Sequence, residues 1–353
     1  MSISNFVPEL WSAAVLVPRE SALVFGQPSC VNRDYEGEIK QQGDTVHVTS
    51  IGDPTVRTYD KTTDLTEEDL SDSSDELVID QGDYFNFRVN DVDRVQAAGN
   101  FQTPATMRAG YKMAAQIDSF LSGLMLAGAD DDNRMEVQSI SKSSPEDAYN
   151  LIVDLGVLLD EADEPEAGRF VVVSPSFHGV LRRDDRFIRQ DASGTTDGLR
   201  NALVGRAAGF DILKSNRAPG VRTVSDAVTT ASSKTLTSAT AKFTQNDVGA
   251  LVDDGGTKIT TGTTIASVES ATSVTMSANA AAAGTGIALT IGSTGQSLVI
   301  AGTADATSLA VQITEVEALR SQTRFADKIR GLQVYGAKVF RPKGLATAYA
   351  KVS

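Results

Sequence analysis

The spacing of apolar residues along the chain alternates between the two periods that are typical of strands and helices. Over residues 83–91 (DYFNFRVND), aromatic and apolar residues alternate with polar ones, which predicts a half-buried strand. Val46, Val48 and Ile51 alternate in the same way and predict an earlier strand. Between these two strands lies a long segment rich in acidic residues, Ser and Thr.

Two stretches have helical spacing. Thr103 and Pro104 suit the start of a helix, and the apolar residues after them recur every three or four positions, which predicts a long helix over 104–126. A second helix is predicted after Ser144 as N-cap and Pro145 at the first helical position. Its predicted buried face consists of Leu151, Ile152, Leu155, Leu158, Leu159 and Ala162.

The next predicted elements are a strand, a short helix and another strand. RFVVV at 169–173 predicts a fully buried strand, Ser174 and Pro175 predict the start of a short helix, and GFDILKSN at 209–216 predicts another strand. Helices and strands mixed in this order indicate an α+β fold.

The composition changes at about residue 222. From there to 292 the chain is dominated by Thr, Ser, Ala and Gly, with Phe243 as its only aromatic residue. Small or β-branched residues alternate with polar ones between Gly-rich turns, which favours a small all-β insertion domain over low-complexity disorder. So few bulky side chains predict a thin core.

Charge and cysteine content exclude several classes of protein. The 353 residues include 46 acidic and 32 basic ones, a net charge of −14, so the chain has no general attraction to phosphates or anionic lipids. Cys30 is the only cysteine, which excludes a disulfide framework and a thiolate zinc cluster. No segment has the pattern of a signal peptide or a membrane span, and folding in the cytosol is expected.

Charged residues are unevenly distributed along the chain. The segment 64–80 is acidic, whereas basic residues concentrate near the C-terminus, at Arg320, Arg324, Lys328, Arg330, Lys338, Arg341 and Lys343. This segregation predicts complementary surfaces between copies. Near the N-terminus, Phe6, Leu10, Ala14 and Val17, with Trp11 beside them, form an apolar arm that packs on its own core or on a neighbouring subunit.

No motif in the sequence points to catalysis, a cofactor or a metal. His47 and His178 stand alone without a nucleophile motif, and the acidic stretch 129–137 lacks the glycine and ligand spacing of a calcium loop. Walker, Rossmann, zinc-protease and nucleophile-elbow motifs are absent from the sequence. We therefore expect a protein that is not an enzyme, with no cofactor.

Several stretches in order resemble the major capsid protein of tailed bacteriophages of the Hong Kong 97 type. They are NFVPELWSAAVL, YEGEIKQQGDTVHVTSIGDPTVRTY, RFVVVSPSFHGVLRRDDRFI, GRAAGFDILKSNRAP and GLQVYGAKVFRPKGLA. They cover most of the chain outside 222–292, and it is their order that carries the resemblance.

The resemblance implies the domain organisation of that family, with an extended E-loop hairpin that lies over a neighbouring subunit. The implied domains are an N-terminal arm at 1–42, the E-loop at 43–82, a P-domain at 83–138 and 326–353, an A-domain at 139–221 and 293–325, and the all-β insertion at 222–292. The predicted long helix would be the spine of the P-domain, and the insertion would project outward from the capsomer.

The same resemblance implies a structural function in the virion. The chain would assemble with itself into hexamers and pentamers of an icosahedral head around double-stranded DNA, in the host cytoplasm, with scaffolding and portal proteins and a possible cement protein as partners. The expected inter-subunit contact residues are Trp11, Lys61, Asp64, Glu67, Glu68, Asp69, Arg341 and Lys343. The acidic loop would pair with Arg19, Arg108, Arg341 or Lys343 of another copy, and Lys61 is the only E-loop lysine available for the cross-link that some members form.

Two alternatives are left open by the sequence. An encapsulin-like compartment shares the fold but packages protein cargo, and a carbohydrate-binding or hydrolytic surface protein would suit the Thr-rich insertion. DNA or a cargo protein extracted from purified shells would separate the first alternative from a phage head.

Overall fold

The computed structural model describes residues 24–34, 45–51, 55–56, 61, 72–90, 102–188, 205–218, 220–293, 295–320 and 326–353. These residues fall into two compact units. The first unit is drawn from 33–113 and 308–340, and the second from 24–32, 114–307 and 341–353.

The described chain contains both helices and many strands, as an α+β fold requires. The helices are α1 (Gln102–Gly128), α2 (Glu146–Glu161), α3 (Pro175–Leu181) and α4 (Asp185–Ile188). The strands are β1 (Thr45–Ile51), β2 (Asp72–Val78), β3 (Gln81–Asn90), β4 (Arg134–Ile140), β5 (Arg169–Val173), β6 (Arg206–Ala207), β7 (Phe210–Lys214), β8 (Arg222–Thr229), β9 (Thr235–Thr237), β10 (Val252–Asp253), β11 (Ile265–Ser270), β12 (Ser273–Met276), β13 (Gly284–Ile291), β14 (Gln296–Thr303), β15 (Thr307–Arg320), β16 (Ala326–Val339) and β17 (Leu345–Val352).

The first unit consists of two small antiparallel sheets. Strands β1 and β2 pair with His47 opposite Glu76, and the second sheet has the order β15-β16-β3. The strand predictions around Val46 and over 83–91 are confirmed, although the side chains of β1 lie outside the described residues. A small buried cluster of the first unit contains Leu77, Ile79, Ala310 and Val334, with Phe340 packed against it.

The second unit is built on a six-stranded sheet of order β4-β17-β14-β5-β7-β6. Strand β17 runs antiparallel to β14 and parallel to β4. All five residues of β5 are buried, as predicted for RFVVV. The core of this unit places the apolar face of α2, including Leu151, Ile152 and Leu155, against the sheet.

The helix predictions are confirmed with small differences at the ends. Helix α1 extends two residues beyond each end of the predicted 104–126. Ser174 caps α3 as predicted, because its Oγ accepts a hydrogen bond from the Phe177 N–H at 3.2 Å. For α2 the prediction of Ser144 as N-cap is wrong: Pro145 takes that position with helical backbone angles, and Ser144 contributes its carbonyl to the Asp147 N–H instead.

Residues 222–292 form a separate antiparallel sheet of order β10-β13-β8-β9-β12-β11. It encloses its own apolar cluster of mostly small and β-branched side chains, with Phe243 as the bulkiest member. The β-strands predicted for this segment are present. That the segment is an insertion domain stays a prediction.

One buried asparagine joins this second sheet to the main one. Asn246 is fully buried, and its side-chain amide donates to the carbonyls of Met135 at 3.1 Å and Thr347 at 2.8 Å. Its Oδ1 accepts from the Thr347 hydroxyl at 3.0 Å, and the Val137 N–H donates to the Val248 carbonyl at 3.0 Å. The 222–292 segment is therefore bonded to β4 and β17 rather than held only by its two connections.

A buried ion pair lies beside that asparagine. Arg222 donates to the Asp247 carboxylate at 2.8 Å, and the same Asp247 oxygen accepts from the Thr244 N–H at 2.9 Å. Tyr349 of β17 lies next to this pair. Burial, and then the nearby Asp247 carboxylate, raise the pKa of Tyr349 to about 12, so the phenol keeps its proton at neutral pH.

The two compact units divide the chain differently from the domains implied by the resemblance. The implied P-domain groups β16 and β17 together within 326–353, whereas these strands lie in different sheets and different units. The physical reason is the pairing of β17 with β14 and β4 along its whole length. The names P-domain and A-domain stay a prediction.

We expect Asn246→Ala to lower the free energy of unfolding by about 2 kcal/mol or more, because two buried carbonyls and a hydroxyl lose their partner. Denaturant unfolding of the purified chain measures this loss. Gln245→Ala is the matched control, since Gln245 is exposed in the same turn and its truncation should change the unfolding free energy by no more than about 0.5 kcal/mol. Equal midpoints for the two variants would contradict the anchoring role of Asn246.

A pH prediction concerns Asp226 on β8. Hydrogen bonds from Ser238 and Thr240, the latter at 2.7 Å from its hydroxyl and 2.9 Å from its N–H, lower the pKa of Asp226 to about 2. The pKa of an unfolded aspartate is about 3.9, so the stabilisation from these hydrogen bonds is fully present above that pH and is lost as the pH falls toward the native pKa. The stability difference between the native chain and Asp226→Asn should therefore shrink between pH 5 and pH 2. A difference that stays constant over that range would contradict the prediction.

Candidate interface between copies

The three-stranded sheet of the first unit has one face that lies open to solvent. Along β3 and β16 alternate side chains are exposed, as period-two alternation requires. We call the following residues the outer sheet face: Tyr84, Asn86, Arg88, Lys328, Arg330 and Leu332. The strand register places them in three directly opposed pairs, Tyr84 with Leu332, Asn86 with Arg330, and Arg88 with Lys328.

The outer sheet face is apolar at one end. Tyr84 is 77% exposed and the opposing Leu332 is 42% exposed. Together with Phe85, Glu317 and neighbouring residues they line a groove of about 410 Å³. Gly331 also lines this groove, and a β-carbon at this position would overlap the ring of the opposing Phe85.

The other end of this face carries positive charge. Arg88 and Lys328 lie directly opposite each other, and like charges in that position are destabilising in an isolated sheet. Arg330 is partly neutralised by Glu317, with 2.7 Å between Arg330 Nε and Glu317 Oε2. The face therefore combines exposed apolar side chains with a local excess of cations, in a chain whose net charge is −14.

Only part of the predicted contact set lies within the described residues. Lys61 is exposed in a turn. Arg341 and Lys343 are also exposed, around the short 3-10 helix Pro342–Gly344 of the second unit, and the Lys343 carbonyl accepts from the Asn133 side chain at 2.7 Å. The other predicted contact residues lie outside the described residues: Trp11, Asp64, Glu67, Glu68 and Asp69.

One acidic residue of the predicted loop already has a partner in its own chain. Asp75 accepts from the Lys338 ammonium at 2.7 Å. The sequence placed Asp75 with the acidic residues available to another copy, and it placed Lys338 in the basic C-terminal group. The pairing within one chain arises because β2 and β16 lie close together in the first unit.

Sequence reasoning missed the outer sheet face as a contact surface. The signal was present, since the strand pattern over 83–91 already put Tyr84, Asn86 and Arg88 on one side. The opposing residues of β16 form the other half of this face. Because nothing in the sequence gives the register of β16 on β3, the opposition of Arg88 and Lys328 was not foreseeable.

No group of three His, Cys, Asp or Glu among the described residues could hold a metal ion. The acidic stretch after α1 is a 3-10 turn in which Arg134 binds Asp131 and the carbonyls that end the helix. Burial raises the pKa of the Cys30 thiol to about 12, so it is an inert core residue.

No helix in the described part of the chain is both long and apolar enough to cross a membrane. No protein-family model matches the chain, and no curated protein sequence matches it.

Solved structures of phages match nearly the whole chain. A chain from Mycobacterium phage Che8 is 26% identical, with a TM-score of 0.67 and coverage of 98% of both chains. The capsid structure of the cyanophage P-SCSP1u has 15% identity and a TM-score of 0.65, covering 100% of this chain and 95% of that one. The mature capsid of bacteriophage PhiM1 has 14% identity and a TM-score of 0.58, covering 98% and 91%.

The last two matches are too distant in sequence to show more than a common fold, while the first adds a sequence similarity along the full length. Every described helix and sheet lies within the matched region, because the coverage is almost complete. The chain has the fold of phage capsid proteins, and its resemblance to the major capsid proteins of tailed bacteriophages is confirmed.

Proposed function

We propose that the chain is a capsid subunit that assembles with itself into the hexamers and pentamers of an icosahedral head enclosing double-stranded DNA. The phage capsid fold supports a role in a shell. The observation that carries the proposal is the outer sheet face, where exposed apolar side chains lie beside cations with no covering element in the described first unit. Such a surface is typical of a contact with another molecule.

The acidic loop of a second copy has the chemistry to cover this face. Residues 64–76 contain seven carboxylates, no basic residue, and two leucines, Leu65 and Leu70. The leucines suit the groove beside Tyr84, and the carboxylates suit Arg88 and Lys328. This arrangement agrees with the E-loop of the family, which lies over a neighbouring subunit.

Weak individual contacts are suited to such an assembly. An exposed ion pair contributes about 0–1 kcal/mol, so a single misplaced subunit dissociates easily. Many identical contacts in a closed shell add up to a stable particle, since every copy repeats the same interface.

The finer organisation belongs to the same proposal. Residues 1–42 form the arm, 43–82 the E-loop, 83–138 and 326–353 the P-domain, and 139–221 and 293–325 the A-domain, while 222–292 projects outward. Scaffolding, portal and cement proteins would be its partners, and assembly would take place in the host cytoplasm. Catalysis has no part in this function.

The assembly itself gives the first test. We expect the purified full-length chain to form capsomers, tubes or closed shells, detected by sedimentation velocity and negative-stain electron microscopy. Nuclease-resistant DNA inside particles from infected or co-expressing cells would support a phage head, whereas a single protein cargo would favour the encapsulin-like alternative. A stable monomer at every protein and salt concentration, with scaffolding protein also supplied, would contradict the proposal.

A substitution tests the outer sheet face. Tyr84→Glu puts a negative charge where the acidic loop is proposed to dock, and because Tyr84 is 77% exposed the fold should be unaffected. We expect at least a tenfold rise in the protein concentration needed for assembly, which corresponds to about 1.4 kcal/mol.

Val228→Glu is the control for this variant, since Val228 is 36% exposed on β8, away from the first unit in sequence and sheet. It should assemble as the native chain does. Normal assembly of Tyr84→Glu with an unchanged melting temperature would show that the outer sheet face is not an interface.

A further inference from the structure

A second unpartnered surface lies on α2, in the second unit. The residues of α2 that point away from the core include three carboxylates and two valines. We call this set the acidic helix face: Glu146, Asn150, Val153, Asp154, Val157 and Glu161. Their spacing of three and four residues places them along one side of the helix.

The acidic helix face has features of an interface rather than of an ordinary solvated helix surface. Val153 is 36% exposed and Val157 is 46% exposed, one turn apart in the middle of the face. Within the described part of the chain, Glu146, Asp154 and Glu161 form no salt bridge, whereas the adjacent Asp160 is paired with Arg169 at 2.7 Å. An apolar strip bordered by unpaired carboxylates suits a partner with the opposite charge.

The same unit carries such a set of cations. We call it the basic edge: Arg182 and Arg183 directly after α3, and Lys214 at the end of β7, with His178 of α3 close to Lys214 and Arg182. Arg182, Arg183 and Lys214 are exposed and form no salt bridge among the described residues. Their crowding is seen at His178, where burial and then the charges of Lys214 and Arg182 lower the imidazole pKa.

The acidic helix face and the basic edge belong to neighbouring elements of one core. Helix α2 packs against β17, β14 and β4, and α3 packs against α2 and β17. Lys214 belongs to β7, two strands beyond β14 in the order β4-β17-β14-β5-β7-β6. Both surfaces are exposed in one copy, so one copy can present its acidic surface to the basic surface of the next.

We propose that the acidic helix face of one copy docks on the basic edge of the next copy, in a head-to-tail contact. Two different surfaces that meet in this way form a heterologous interface, which repeats from copy to copy and closes as a ring when the rotation permits. The occupant of each surface is therefore a second copy of this chain. The inference rests on the proposed self-assembly and names the residues that join neighbours within a ring.

Charge reversal of one surface at a time is the first part of the test. The acid-reversed variant combines Glu146→Lys, Asp154→Lys and Glu161→Lys. Because all three side chains are exposed and unpaired within the described residues, we expect an unchanged circular dichroism spectrum and melting temperature. Sedimentation velocity should show loss of rings and shells, because both surfaces are then positive.

The base-reversed variant combines Arg182→Glu, Arg183→Glu and Lys214→Glu, which makes both surfaces negative. It should fold normally and also fail to assemble alone. A control with the same number of charge reversals at exposed acidic positions elsewhere, Glu136→Lys, Glu166→Lys and Asp305→Lys, should assemble as the native chain does.

Mixing the two reversed variants is the decisive part. In an equimolar mixture each acidic surface meets a basic one only when the two variants alternate, so we expect assembly to return. Alternation closes only rings with an even number of copies, so hexamers should form and pentamers should not. A single chain that carries both sets of reversals should assemble alone into rings of either kind.

The outcomes separate this inference from the proposed function. If the native chain assembles and both reversed variants assemble equally well, or if the mixture stays unassembled, the head-to-tail contact is wrong while the shell function stands. Equal loss of assembly in the control would also contradict it, because net charge rather than placement would then be responsible. A base-reversed variant that assembles but retains less duplex DNA would assign the basic edge to nucleic acid instead. A native chain that stays monomeric overturns the proposed function itself.

Discussion

The second unit depends on the pairing of β17, the last strand of the chain, between β14 and β4. Successive side chains of a strand point to opposite faces. Ala346, Ala348 and Ala350 accordingly join the core under α2, whereas Thr347 and Tyr349 face the buried Asn246 and the Arg222–Asp247 pair. One strand thus holds the helical layer on one side of the sheet and the 222–292 sheet on the other.

This pairing has consequences for folding and for the 222–292 sheet. The main sheet is complete only when β17 has paired with both of its neighbours, and contacts between residues far apart in sequence slow folding. Buried hydrogen bonds then join the 222–292 sheet to β17, in addition to its connections along the chain.

The first unit presents the opposite situation. Its described buried cluster is small, and its three-stranded sheet leaves Tyr84 and Leu332 in solvent beside cations. The surface of the second unit likewise leaves two valines of α2 among carboxylates that form no salt bridge with any described residue. Exposed apolar side chains beside charged ones are typical of surfaces that contact another molecule.

Local sequence patterns predicted most of the elements but not the two exposed faces that we propose as interfaces. The buried strand RFVVV, the cap of α3 at Ser174 and the strands of 222–292 were readable because each depends on periodicity and on residues adjacent in sequence. The insertion of β17 between β14 and β4, and the opposition of Arg88 to Lys328, depend on register between distant segments. The pairing of Asp75 with Lys338 was missed for the same reason.

The central claim is that the outer sheet face is covered by another copy when the chain assembles. Hydroxyl-radical footprinting with mass spectrometry measures the solvent exposure of Tyr84 and Leu332 directly, in particles and in dissociated subunits of the same preparation. The account predicts strong protection of both residues in particles, while Val228 on the 222–292 sheet stays equally reactive in the two states. Equal reactivity of Tyr84 in particles and in free subunits would contradict it.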